Sequence, residues 1–335
     1  MRGIGVGEVL LLRTQEKSVL VDLPAWARLA GHELLSTADD GDGSGPWQLA
    51  ILRGQRLTPG GSGQPHQDAF TTGSAAPVGS RLWLYSNFHC NLACVYCCAQ
   101  SSPRADPRLL PLDVAAAAVD EFVGQGGRQL LITGGEPFMH PELGAMVAYA
   151  AERVPVVILT NAMVFGRGAR QATLETMDRE RVTLQVSLDS AGPALHDRQR
   201  GAGSHARALA GIGQARALGF RLRVAATLHD EDLPSVGRLH AALDNLGVAD
   251  DDRLIRPVAA EGFADDGLHI SLDSVEPEPT LTVDGIWWHP VAVTNPHLLV
   301  AESPLPLAPA FDIIRDVLAV QVAGASEGRE VFRCT

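Results

Sequence analysis

Lysine is almost missing from this chain: Lys17 is the single lysine among 335 residues, and arginine carries the rest of the basic charge. The absence bears on chemistry. A pyridoxal phosphate cofactor needs a Schiff-base lysine, and Lys17 stands far upstream of the segment that reads as a core. Basic residues are also outnumbered, with 27 Lys and Arg against 39 Asp and Glu and a net charge of −12. Broad nucleic-acid binding rests on neutralising phosphates, so no nucleic-acid partner is expected. No apolar run reaches the roughly 18 residues that a membrane helix needs. The N-terminal MRGIGVGEVLLLRTQEK has no sustained apolar stretch with a cleavage site. A cytoplasmic protein without a membrane partner is expected. Cysteine is sparse too, and nothing marks its five copies as the framework of a secreted domain.

Three of those cysteines nevertheless stand together. The stretch RLWLYSNFHCNLACVYCCAQSSP (81–103) sets Cys90, Cys94 and Cys97 at C-x3-C-x2-C spacing after a short apolar run. Three thiolates on one tight loop can hold three irons of a [4Fe–4S] cube and leave the fourth open to a ligand that is not protein. Zinc is the competing reading. A structural zinc site closes with four ligands, and His89 adjoins Cys90, an awkward place from which to share tetrahedral coordination.

This loop resembles the cluster-binding loop of the radical S-adenosylmethionine (radical SAM) superfamily. The resemblance implies that Cys90, Cys94 and Cys97 hold a [4Fe–4S] cluster whose open iron takes the amine and carboxylate of SAM. It implies reductive cleavage of SAM to a 5′-deoxyadenosyl radical, which abstracts a hydrogen atom from the substrate. An electron donor such as flavodoxin or ferredoxin would then be a partner. Tyr96 occupies the family's aromatic position before the last cysteine, near the adenine.

The rest of the chain fits an α/β protein. Residues 1–80 read as an accessory module, with strands at 9–12, 18–23 and 49–54, a helix at 24–35 and a flexible linker at 58–64. From residue 81, strands at 81–86, 128–133, 154–160, 181–188, 220–228 and 252–260 alternate with helices, which implies a parallel sheet with right-handed crossovers. Six units are too few for a closed barrel of eight, and they match the family's partial (β/α)6 TIM-like barrel over 81–260. Residues 261–335 read as a C-terminal extension with a hairpin at 281–293 and a helix at 309–321.

The polar motifs fall where these strands end, which is where α/β barrels gather chemistry. Gly134 and Gly135, directly after a strand, permit close backbone approach to a ligand. With Glu136 and Pro137 they resemble the loop that binds the SAM amino group. Thr160 and Asn161 resemble the family's Thr-Asn step and offer a hydroxyl and an amide to ribose or carboxylate. Ser187 and Asp189 share one strand face and are expected to point into the mouth. In the loop 196–205, Arg200 is the candidate for the SAM carboxylate, with Arg198 as its competitor. Arg256 faces either the cavity or a surface ion pair.

Cys98 and Cys334 remain once the cluster has its three ligands. Two thiols cannot hold the auxiliary cluster found in many peptide-modifying relatives, which takes four. Cys334 is a candidate catalytic residue, a hydrogen-atom donor to a substrate radical, or an incidental terminal cysteine. The expected activity is radical SAM chemistry on a ribosomally made peptide. A small natural-product metabolite is the alternative substrate, and a non-catalytic iron–sulfur or zinc sensor is the alternative class.

Overall fold

The computed structural model describes residues 8–15, 19, 20, 23, 33–38, 46–52, 77–166, 168–272 and 274–324. They belong to two compact units, Met1–Gln64 and Pro65–Thr335.

In the first unit, β1 (Val9–Thr14), β2 (Glu33–Ala38) and β3 (Trp47–Leu52) form an antiparallel sheet in the order β1-β3-β2. Trp47, Leu49 and Ile51 alternate along β3 and are buried, so one face of the sheet is its core. Two expectations are corrected here. Within 18–23 the described residues Val19, Leu20 and Leu23 are helical rather than extended. The helix expected at 24–35 does not include Glu33, Leu34 and Leu35, which lie in β2. Leu34 pairs with Ile51 and Glu33 with Leu52, and this cross-strand pairing overrides a short helical spacing. Residues 24–32 and the expected linker at 58–64 lie outside the described residues.

The second unit is built on β4 (Arg81–Tyr85), β5 (Gln129–Thr133), β6 (Val156–Thr160), β7 (Val182–Ser187), β8 (Arg221–Leu228) and β9 (Arg253–Pro257). Each pairs in parallel with the next. The intervening helices are α1 (Leu112–Gly124), α2 (Leu143–Ala151), α3 (Ala169–Thr176), α4 (Pro193–Arg200), α5 (Ser204–Ala217) and α6 (Val236–Asn245). The first half of the expected loop at 196–205 is therefore α4, which Pro193 opens and Gly201, at φ +107°, closes.

The C-terminal stretch joins the same sheet. Strands β10 (Thr280–Thr282), β11 (Gly285–Trp287) and β12 (Leu299–Ala301) are followed by α7 (Leu307–Gly324). The hairpin expected around Asp284 is the β10–β11 pair. The complete order is β12-β11-β10-β4-β5-β6-β7-β8-β9, with β10 parallel to β4. The sheet is open, a mostly parallel α/β arrangement that fits a partial TIM-like barrel.

Alternation along the strands separates two faces. Leu82, Leu84, Leu130, Ile132, Val156 and Ile158 pack outward into one core with Phe122, Met146, Leu174, Ile212 and Leu239 of the helices. Facing the other way, Trp83, Leu131 and Val157 form a small cluster joined by Leu159 and Val291. Along β7–β9 the residues out of phase with the outer core include the polar Gln185, Ser187, Arg223, Thr227 and Arg256 beside the apolar Ala225 and Leu254. The concave face is thus more polar on β7–β9 than on β4–β6.

Candidate cluster and cofactor site

Three cysteines on 90–97 are drawn to one place by backbone bonds that a short loop can make only when folded back on itself. The Phe88 amide donates to Pro107 O at 2.8 Å, Cys90 to Ser102 O at 3.3 Å, and Cys97 to Cys94 O at 3.2 Å. The loop leaves β4 at Tyr85 and is buttressed from two sides. Val95 donates to Gln199 O of α4, and Cys97 O accepts from the Phe263 amide after β9.

Cys90, Cys94 and Cys97 line one cavity of about 190 Å³. Amide donors already point at two of the sulfurs, from Leu92 to Cys90 Sγ at 3.4 Å and from Ser101 to Cys97 Sγ at 3.3 Å. Such N–H···S bonds stabilise thiolates and tune a cluster held by them. Burial pushes the free Cys94 thiol up to about 11, against a lowering pull from Arg200, and burial pushes Cys90 higher still. The protons therefore stay on until a metal replaces them. Among the described residues no three His, Cys, Asp or Glu side chains are grouped as the ligands of a single ion would be. A cube takes one thiolate on each of three irons, and three thiols line this cavity, whereas a structural zinc closes with four ligands.

The glycine turn after β5 also packs against protein backbone. A Cβ on Gly134 would stand 2.4 Å from Asn87 O, and one on Gly135 would stand 2.2 Å from His89 O. The close approach is to the backbone of the cysteine loop. Gly135 N and Glu136 N donate to Asn87 O and His89 O at 3.0 and 2.9 Å and lock the two loops together. Both glycines still line the cavity, whereas Glu136 and Pro137 do not.

Glu136 is fully buried behind the wall. Its Oε1 accepts from Thr160 Oγ1 at 2.8 Å and Phe138 N at 3.2 Å, and its Oε2 accepts from Asn161 N at 2.8 Å. Burial raises its carboxyl to about 7 even though these three donors favour the charged form. Glu136 thus braces Thr160 and Asn161, which do line the cavity. Asn161 Nδ2 also donates to Asn91 Oδ1 at 2.8 Å and lies 3.9 Å from Cys90 Sγ.

Ser187 lines the cavity and Asp189, two residues on, does not. Leu188 between them packs into the outer core, so the alternation continues past the end of β7, and Asp189 stands behind the wall, where it also accepts from Thr227 N at 3.1 Å. Asp189 is fully buried, and its carboxylate accepts from Arg200 Nε at 2.6 Å, Arg200 Nη2 at 3.1 Å and Tyr96 Oη at 2.7 Å. Burial alone would raise the Asp189 carboxyl, but the Arg200 guanidinium holds it below the usual range. Arg200 and Tyr96 both line the cavity, with the guanidinium 5.3 Å from the ring centroid. Arg198 is exposed and pairs with Asp232 at 2.9 Å, so it is no longer the competitor. Trp287, Trp288 and His289 are buried and none lines the cavity. Cys98 lines the cavity, while Cys334 lies outside the described residues.

Several lining residues escaped the sequence reading. Tyr85 and Thr133 close β4 and β5 in register with each other, and Thr227 stands one residue from the end of β8. Their signal was position alone: the last inward residue of each parallel strand.

The geometry defines a class: an α/β partial barrel with a three-thiol loop at the strand ends and hydroxyl, amide and guanidinium groups around one mouth. Residues 85–236 match the model of the radical SAM superfamily, and the chain carries a domain of that superfamily. The AdoMet-dependent heme synthase of Oleidesulfovibrio alaskensis is 28% identical over 163 residues, 48% of this chain and 41% of that protein. The PqqA peptide cyclase of Ruegeria pomeroyi is 32% identical over 151 residues, 44% of this chain and 40% of that protein. The chain thus matches less than half the length of these relatives. The structure of native anSMEcpe with bound AdoMet superposes with a TM-score of 0.56 at 8% identity, over 71% of this chain and 82% of that one. At that identity the likeness concerns the fold. The superfamily uses a [4Fe–4S] cluster and SAM.

Proposed function

We propose that this chain is a radical SAM enzyme acting on a peptide. The observation that carries the reading is the shared cavity: Cys90, Cys94 and Cys97 line it together with Gly134, Thr160, Asn161 and Arg200. When bound, the cluster and SAM supply a one-electron cleavage that delivers a hydrogen-abstracting radical. The chain's own residues have separate tasks around that chemistry. The three thiols bind iron, and the Leu92 and Ser101 amides stabilise the resulting thiolates. Tyr96 offers a ring to the adenine. It is held in place by Asp189, which accepts a hydrogen bond from its hydroxyl at 2.7 Å. Thr160 and Asn161, fixed from behind by Glu136, present a backbone and amide edge to the ribose or amino-acid part of SAM. Arg200 supplies positive charge beside Cys94 while Asp189 keeps the guanidinium from swinging away. The apolar inner wall of Trp83 and Leu159 excludes water from the reacting centre.

A peptide substrate draws support from the likeness to PqqA peptide cyclase. The test is anaerobic reconstitution with iron and sulfide, then dithionite and SAM, assayed for 5′-deoxyadenosine beside Cys94→Ala. Product from the wild type and none from the variant supports the reading. A fully loaded wild type that neither binds nor cleaves SAM overturns it in favour of a sensor. Mass change on a precursor peptide encoded beside the gene, and none on free small-molecule metabolites, supports the substrate class.

A further inference from the structure

Arg256 is the one charged group on the cavity wall whose partner is missing. It lies in β9, the sixth parallel strand, opposite Thr227 of β8 in register, and both line the cavity. Its Nε is buried without a hydrogen-bond partner. Among the described residues it makes no ion pair, whereas the other arginine on the wall, Arg200, is held by Asp189. An isolated buried donor of this kind costs about 1–3 kcal/mol, more when charged, and a fold tolerates it where a ligand will fill the gap.

The surroundings state the sign of that ligand. The chain has a net charge of −12, yet among the described residues no Asp or Glu lines this cavity. A second arginine, Arg223, sits on the same inward row of β8; burial above all lowers its affinity for a proton, against an opposing pull from Asp252 and with smaller contributions from Arg221, Arg256 and Arg81. The hydroxyl residues Ser187 and Thr227 share the wall with Arg256. Planar guanidinium with hydroxyl neighbours matches a carboxylate, which it can grip bidentately.

SAM itself brings a carboxylate, and the geometry offers it a different arginine. Arg200 stands 5.3 Å from the Tyr96 ring and shares Asp189 with the Tyr96 hydroxyl, so it is tied to the cysteine loop. Arg256 lies on β9, opposite Thr227 of β8. The two arginines therefore serve different parts of the wall. We propose that Arg256 is the substrate anchor: it binds a carboxylate of the substrate, from an acidic side chain or a chain terminus, and turns the adjoining carbon toward the cluster. The inference rests on the radical SAM reading and adds to it the chemical character of the substrate.

The test uses the reconstituted, SAM-loaded protein in anaerobic equilibrium dialysis with labelled N-acetylglutamate, its neutral diamide analogue and inorganic phosphate. Saturable binding of N-acetylglutamate, at least tenfold tighter than the diamide and lost in Arg256→Gln but partly kept in Arg256→Lys, supports the proposal. The SAM dissociation constant is measured on the same samples. A value for Arg256→Gln within about threefold of wild type supports a substrate role. A tenfold loss of SAM affinity overturns the proposal, because Arg256 then holds the cofactor carboxylate. Equal binding of N-acetylglutamate and diamide overturns it as well, as does a preference for phosphate. Failure of wild type to bind SAM at all would instead remove the underlying functional reading.

Discussion

Glu136 is the residue whose replacement should separate bracing from binding. Its two oxygens accept three donors from Phe138, Thr160 and Asn161. A glutamine keeps one oxygen and turns an amide toward a donor, so Glu136→Gln should cost about 1–3 kcal/mol in chemical denaturation. The pH dependence has a definite sign. Folding raises this carboxyl from 4.5 to about 7, so between those values the folded state binds the extra proton. Stability from this group is then lost as pH rises through that window, and the loss is complete above it. His196, which burial lowers to about 4, and His289, lowered to about 3, have the opposite slope because their unfolded forms take up the proton. The difference between wild type and Glu136→Gln across pH 5 to 7 isolates the carboxyl. A flat difference would mean that Glu136 is ionised throughout. Asp189→Asn should be harsher, since it strands Arg200 as a buried unpaired charge. A loss of about 3–5 kcal/mol is expected, and a loss under about 1 kcal/mol would show that Arg200 finds another partner.

Two elements meet at the glycine turn, and here sequence and structure diverge in an instructive way. The cysteine spacing and the Gly-Gly turn were both legible, because each is a local pattern. What the glycines are for was not, since their neighbour is the backbone of Asn87 and His89, 45 or more residues earlier in the chain. Asp189 is a related case: alternation with the outward Leu188 places it, but its partners Tyr96, Arg200 and Thr227 lie on other elements, which no local pattern reveals. The loop reading of 196–205 failed because α4 is a polar helix whose His196, Gln199 and Arg200 are buried for their hydrogen bonds, with little apolar periodicity to announce it. The order of the strands from β4 to β9 was readable, as the outer faces of β4 to β7 are dominated by Leu, Ile and Val. From the element contact comes a prediction. Gly135→Ala forces the turn off the cysteine loop, so iron bound after reconstitution should fall at least severalfold while far-UV circular dichroism is kept. Full iron loading would show that the two loops can part without harm.

At the scale of the whole unit, the strand that carries the cysteine loop is interior to the sheet. β4 is hydrogen-bonded to β5 on one side and to β10 on the other. Trp83 and Arg81 are further fixed by Glu278, at 2.8 and 2.6 Å. Amide hydrogens of β4 should therefore be among the slowest to exchange, and equally slow with and without bound iron. Protection that collapses on iron removal would show that the metal holds up the fold. The expected result has a meaning for life in air. Oxygen attacks the inorganic part of such a centre, and here the support of that part is secured from both flanks without it. The protein is then a durable vessel for a perishable filling, and restoring iron and sulfide, with no new synthesis of the chain, suffices for repair.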